Sequence, residues 1–161
     1  MGDIVRSPEI RTAAQGDAPT LARLRFQFRS ELGELVETEE EFVARCTRWM
    51  EDRLGRDFPW RCWVAEGPDG IVGNLWLQVM EKLPNPVEEP ELHAYITNVY
   101  VLPDCRSAGV GALLLEAALE WCRSSKIDAV FLWPSDRSRP FYMRYGFSVR
   151  DDLFALRPVS P

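Results

Sequence analysis

The sequence predicts a mixed α/β fold, helices against a central sheet, on three observations. Its apolar pattern switches repeatedly between alternating and helical spacing. The elements read β-α-α-β-β-β-α-β-α-β along the chain. Strict strand-helix alternation is absent because the middle is a meander, which disfavours a doubly wound parallel sheet, whose glycine-rich turn follows the first strand. At 161 residues the chain is expected to form a single domain over 1–161 with one sizeable core.

The elements follow in order. "EIRTAA" (9–14) is a short strand. "GDAPTLARLRFQFRSEL" reads as a helix with Asp17 as N-cap and Pro19 in its first turn, and Leu21, Leu24, Phe28 and Leu32 recur at core spacing. A second helix begins at Thr38, where Glu41 completes a capping box and Phe42, Cys46, Trp49 and Met50 form the apolar face. Two β-rich runs around Pro68, Asp69 and Gly70 are the clearest hairpin. A loop with three prolines at 84–90 leads to the strand "HAYITNVYV", then to a long apolar helix, the short strand "AVFLW", a proline-broken helical segment and a last strand at 152–156.

Charge bounds the partners. The net charge of −6 argues against nonspecific nucleic-acid binding, which needs clustered basic surface to displace phosphate counterions. All of the surplus acid lies in residues 1–90, where 11 Lys+Arg face 17 Asp+Glu; residues 91–161 hold 8 of each. Glu31, Glu34, Glu37, Glu39, Glu40 and Glu41 form the densest group. They are either a solvated helix face or a source of steering for a cationic substrate.

Cys46, Cys62, Cys105 and Cys122 are scattered, with no metal-ligand or redox spacing, so a reduced, cytoplasmic chain without a metal site is expected. Cys105 is read as a small filler rather than a reactive thiol. His93 is the only histidine. No signal-like or membrane-spanning apolar run occurs, and Gly2 is followed by Arg6 where myristoylation requires Ser or Thr.

The chemistry gathers in "VLPDCRSAGVGALLLEAALEW" (101–121). First-turn amides of a helix have no intrahelical partner, and the helix dipole adds about half a positive charge there. An anion is the natural ligand, and glycine admits it by removing the side chain. Arg106, Ser107, Ala108, Gly109, Val110 and Gly111 offer such a surface beside a guanidinium. The segment is not a P-loop, since Ala112 and Leu113 stand where Lys and Ser/Thr would hold a nucleotide and its magnesium.

Arg106, Gly109 and Gly111 match the Arg/Gln-x-x-Gly-x-Gly/Ala signature, and "FYMRYGF" matches a later one at Phe141, Tyr142, Gly146 and Phe147. On these residues the chain resembles the GCN5-related N-acetyltransferase (GNAT) family. The resemblance implies a mixed, mostly antiparallel sheet of about six to seven strands flanked by helices. It implies acetyl-CoA as co-substrate, its pyrophosphate held on the amides of residues 106–112, Ala112 included. Val99, Tyr100 and Val101 would meet the pantetheine arm and supply an oxyanion-hole N–H, while Ser135 and Phe141 would contact the far arm of the cofactor. Ser107, Ala108 and Ser138 depart from glycines frequent in the family. A homodimer is compatible with the resemblance.

Acetyl transfer needs a neutral amine, a proton acceptor and an acid for the leaving thiolate. Tyr142 stands at the family's acid position; Tyr145 is read as packing. Glu91, His93 and Asn98 are the candidates for base or water positioning, and simple alternation sets His93 on one face with Tyr95 and Thr97, and Asn98 opposite. Trp49, Trp60, Trp63 and Trp76 belong either to an aromatic acceptor pocket or to the core. The expected activity is direct acetylation, without an acyl-enzyme, of a primary amine on a small molecule, peptide or protein, with a cationic acceptor suggested by charge alone. The reading from another class is a catalytically silent acyl-CoA-binding sensor or assembly module.

Overall fold

The computed structural model describes residues 7–159, so the Gly2 and Arg6 reading lies outside it. Strands β1 (Glu9–Thr12), β2 (Trp60–Gly67), β3 (Gly70–Glu81), β4 (Leu92–Val101) and β5 (Ile127–Phe131) form one sheet in chain order. The pairs are antiparallel except β4 with β5, which are parallel. Among the described residues the sheet therefore has five strands, not six or seven. The expected strand at 152–156 does not form, and Leu153, Phe154 and Leu156 are exposed. Its apolar residues sit side by side rather than alternating, Pro158 follows, and no strand edge pairs with it.

Helices α1 (Ala18–Ser30) and α2 (Glu39–Leu54) cover one face, and α3 (Val110–Ser124) the other; α4 (Arg139–Arg144) is a short turn after β5. Two apolar cores result. Leu75, Leu77, Ala94, Ile96, Leu114 and Leu115 pack between sheet and α3, while Leu21, Met50, Val64 and Trp76 pack between sheet and α1–α2. Burying both sheet faces is what makes β2 and β3 read as nearly continuous apolar runs.

Local signals explain the ends. The Thr38–Glu41 capping box forms: Glu41 N donates to Thr38 Oγ1 at 3.3 Å, and Thr38 N donates to Glu41 Oε2 at 3.1 Å. Asp17 precedes α1 but does not cap it with its side chain; its carboxylate accepts from Ala14 N at 2.7 Å and pairs with Arg11. Leu32 is exposed, not core, because α1 stops at Ser30, before the helical stripe reaches it. The Pro68–Asp69 connection joins β2 to β3 with Gly70 at φ 122, a backbone state that favours glycine.

Candidate active site

The functional geometry starts from a place where the sheet comes apart. β4 pairs with β5 only over Leu92–Tyr95, and among the described residues the remainder of β4 has no partner on that side. Leu102 N donates to Val72 O on the β3 side, so by alternation Val101 and Val99 turn their peptide groups toward the split. The Val101 carbonyl is already used, accepting from Arg106 Nε at 2.9 Å. Val99 and Val101 place their side chains in the α3 core.

A second irregularity lies within β4. Trp76 pairs with Asn98 and Leu77 with Ile96, leaving Thr97 as the extra residue of a bulge. Ala94 and Ile96 face α3 before the bulge, and Val99 and Val101 face α3 after it. The bulge absorbs the change of phase. Thr97 and Asn98 consequently line the same cavity on the α1–α2 side, which corrects the expectation that they point to opposite faces.

At the mouth of α3 the chain takes left-handed backbone at Ser107 (φ 65) and at the N-cap Gly109 (φ 80). The serine occupies a conformation that glycine adopts more readily. Leu113 N is the first amide to find an intrahelical-type acceptor, Gly109 O at 3.1 Å. Among the described residues, the amides of residues 107–112 donate to no protein acceptor. Ser107, Ala108 and Gly109 are exposed, and Val110 is buried as the first anchor of α3. These six amides are a surface on which an anion can settle.

Arg106 is tied down rather than pointed outward. Its Nη2 donates to Glu31 Oε2 at 2.7 Å, and Tyr100 Oη donates to Glu31 Oε1 at 2.5 Å. The Tyr100 side chain is thereby turned to α1, its ring 5.2 Å from that of Phe28. Hydrogen bonds from Tyr100 and then Arg106 hold the Glu31 carboxyl below its ordinary range. Burial, and then Glu31, push the Tyr100 phenol up to about 12. Because the folded pKa of Glu31 is depressed, its contribution to stability is present above the ordinary carboxylate range and lost as pH falls through the folded value. Glu31→Gln is therefore expected to lower the unfolding temperature at pH 7 and to converge with the wild type as pH drops below about 4; a pH-independent difference would mean that the charge is not what matters.

Phe141 lies against the cradle: its Cζ is 3.9 Å from where a Cβ on Gly111 would stand. Tyr142, next in chain, packs at right-angled contacts with Phe141 (5.1 Å) and Phe147 (5.7 Å). Its phenol oxygen makes no hydrogen bond among the described residues, and burial raises its pKa. Tyr145 differs, donating to Glu116 Oε1 at 3.1 Å. Ser135 is used locally, its hydroxyl donating to Ser138 Oγ at 3.0 Å at the start of α4. Ser138 has φ −87, so glycine is not required there.

The structure thus sets Val99, Val101 and residues 106–112 beside the split, with Phe141 against Gly111 and Tyr142 packed on Phe141; Tyr100 is turned to α1, and Asn98 lies on the other face of the sheet. Glu91 and His93 are elsewhere. His93 precedes Asn98 by five residues, roughly 17 Å of extended strand, and its Nδ1 lies 3.9 Å from Asp128 at the start of β5. Glu91 is exposed and precedes β4.

On the α1–α2 side is a cavity of about 250 Å³, lined by Arg25, Phe42, Arg45, Cys46, Trp49, Met50, Trp60, Trp76, Thr97 and Asn98. Trp60 lies 5.1 Å from Trp49 and 6.3 Å from Trp76, both edge-on. Trp63 belongs instead to the α3 core. Arg25 Nη1 donates to Asn98 Oδ1 at 2.9 Å, and Asn98 Nδ2 donates to the buried Asn74 Oδ1 at 2.6 Å. Arg25 and Asn74 were not singled out by sequence, and Glu31 was read only as one of a group of acids. Arg25 carried a signal, because it sits four residues after Leu21 on the apolar stripe of α1, where a charge is out of place.

The family model for the acetyltransferase (GNAT) family matches residues 25–147. No curated protein matches the chain. Among solved structures, a predicted acetyltransferase with acetyl-CoA from Clostridium acetobutylicum superposes with a TM-score of 0.76 at 23% identity, over 92% of this chain and 95% of that one. A GCN5-related N-acetyltransferase from Ralstonia eutropha gives 0.74 at 25%, over 92% and 97%. An aminoglycoside acetyltransferase from an uncultured soil metagenomic sample, in complex with sisomicin, gives 0.70 at 18%, over 99% and 100%.

Proposed function

The chain belongs to the GNAT acetyltransferase family, and from that premise we propose that it is a single-domain enzyme moving the acetyl group of acetyl-CoA directly to a primary amine. The observation that carries this reading is the run of six amides without acceptors, residues 107–112, beside the open half of β4. Phosphate oxygens accept from those amides at the positive end of α3. The Val99 and Val101 peptide groups hold the pantetheine arm along the split, and a β4 N–H takes up the charge that builds on the thioester oxygen as the amine attacks.

The amine nitrogen bonds to the acyl carbon, the carbon–sulfur bond breaks, and Tyr142 gives its phenolic proton to the departing thiolate. Asn98 donates one amide N–H to Asn74 and accepts from Arg25 through Oδ1, so its second N–H is left to orient a water that carries the amine proton away. Glu91 and His93, at the far end of β4, are left out of this step. The four cysteines are free, which suits a cytoplasmic setting, and among the described residues no helix is long and apolar enough to cross a membrane. The unbonded Tyr142 phenol favours the enzyme over a catalytically silent acyl-CoA module.

The test is thermal unfolding with CoA, acetyl-CoA and ATP, together with thiol release from acetyl-CoA over a panel of amines. CoA and acetyl-CoA are expected to raise the unfolding temperature by mass action. A shift with ATP but not CoA would overturn the assignment, and CoA binding without thiol release to any amine would return the silent module.

A further inference from the structure

Resting on that reading, we infer that the acceptor is an amino acid with an apolar side chain, its carboxylate held by Arg25 and its side chain among the tryptophans. The cavity on the α1–α2 side has arginines in its wall, at positions 25 and 45, and no carboxylate. Arg45 is already matched, Nη2 lying 2.6 Å from Glu37 Oε1. Arg25 is not: among the described residues no carboxylate lies within ion-pair distance, and its one hydrogen bond goes to the neutral Asn98. A guanidinium has five N–H donors in a planar fork, so most of this one remains open to a two-pronged bond with a carboxylate. It is half-buried, where a charge without a counter-ion is costly and an anionic ligand relieves that cost.

The acid that suggested a cationic acceptor does not reach this cavity. Glu31 is bound by Tyr100 and Arg106, Glu37 by Arg45, and Glu41 by the cap of α2. Cys46 in the wall stays a neutral thiol, because burial pushes its pKa up. The cavity's size, about 250 Å³, falls under the roughly 300–1,000 Å³ of drug-sized sites, which fits one amino acid and not a folded protein surface. Trp49, Trp60 and Trp76 leave apolar ring edges for a side chain. The bulge sets Thr97 and Asn98 in the same wall, directly before Val99, so the α-amine of a molecule anchored at Arg25 is delivered to the split.

The test compares phenylalanine, leucine and methionine, each against its amide and its decarboxylated amine, in two readouts. Quenching of tryptophan emission reports occupation of the cavity without acetyl-CoA, and thiol release reports acetylation. The free amino acids are expected to quench at concentrations at least about tenfold lower, and to be acetylated with kcat/KM at least about tenfold higher, than their partners lacking the carboxylate. Arg25→Gln should erase that preference through KM, and Arg25→Lys should restore part of it. The wild-type comparison decides even if a variant folds poorly. Equal or better binding by the amides or decarboxylated amines, or no quenching by any of the nine, overturns the inference. Quenching by the amino acids without thiol release sinks the acetyl-transfer reading and leaves the anion site standing; thiol release to the decarboxylated amines alone does the reverse.

Discussion

Tyr142→Phe is expected to lower kcat for acetyl transfer by about 10²–10⁴-fold while leaving CoA affinity, measured by calorimetry, within about twofold of wild type. The loss falls on the chemical step because the substitution removes one atom, the phenol oxygen, which makes no hydrogen bond among the described residues. The ring's edge-on contacts with Phe141 and Phe147 are kept. Burial raises the pKa of this phenol, so it keeps its proton at pH 7 and loses it only above the ordinary phenol value of about 10. In the pH profile of the wild type the rate should therefore rise as the amine loses its proton and fall again only past that range; the variant should lack the fall. Tyr145→Phe is the control, since that phenol is committed to Glu116, and its kcat should stay near wild type. An unimpaired Tyr142→Phe would mean that the thiolate leaves without protonation by this group.

What the sequence could and could not disclose follows from the range of each interaction. The Thr38 capping box, the Pro68–Asp69 hairpin and the glycines at the start of α3 are local devices, each set by residues within a few positions, and all are where pattern and spacing predict them. The strand at 152–156 is absent because a strand needs a partner, and composition alone does not say whether one is free. The bulge at Thr97 is invisible for a related reason: alternation along a single strand assumes an unbroken register, whereas the register belongs to β3 and β4 together. Separating Trp60 and Trp76, which line the cavity, from Trp63, which does not, needs the two faces of the sheet to be known. The charge of that cavity was the hardest to read. Six glutamates dominate the neighbouring sequence, yet none of them lines the cavity: Glu31 pairs with Tyr100 and Arg106 from the far half of the chain and Glu37 with Arg45, and Arg25 is left in the wall without an opposite charge.

Gly109 is where the cofactor reading meets its sharpest test, because backbone strain and ligand exclusion can be separated there. The residue has φ +80, and a Cβ built on it would meet no protein atom within 4 Å. The interior of the protein has no steric objection to a side chain at this point; the open space lies over the unpartnered amides. Asparagine tolerates left-handed backbone, whereas a β-branched residue does not, at a cost of about 1–2 kcal/mol. Gly109→Asn is thus expected to unfold in urea within about 1 kcal/mol of wild type, yet to bind CoA about 10–100-fold more weakly, since each charge-assisted amide bond it obstructs is worth about 1.5–3 kcal/mol. Gly109→Val should suffer both losses. Gly111→Ala should suffer neither: its Cβ would stand at ordinary contact distances from Phe141 (3.9 Å) and Val101 (4.0 Å), and the lost backbone freedom of the unfolded chain stabilises α3 by up to about 1 kcal/mol. If Gly109→Asn bound CoA as tightly as wild type, the diphosphate would have to lie somewhere other than the mouth of α3, and the β4 split would lose its claim to the thioester with it.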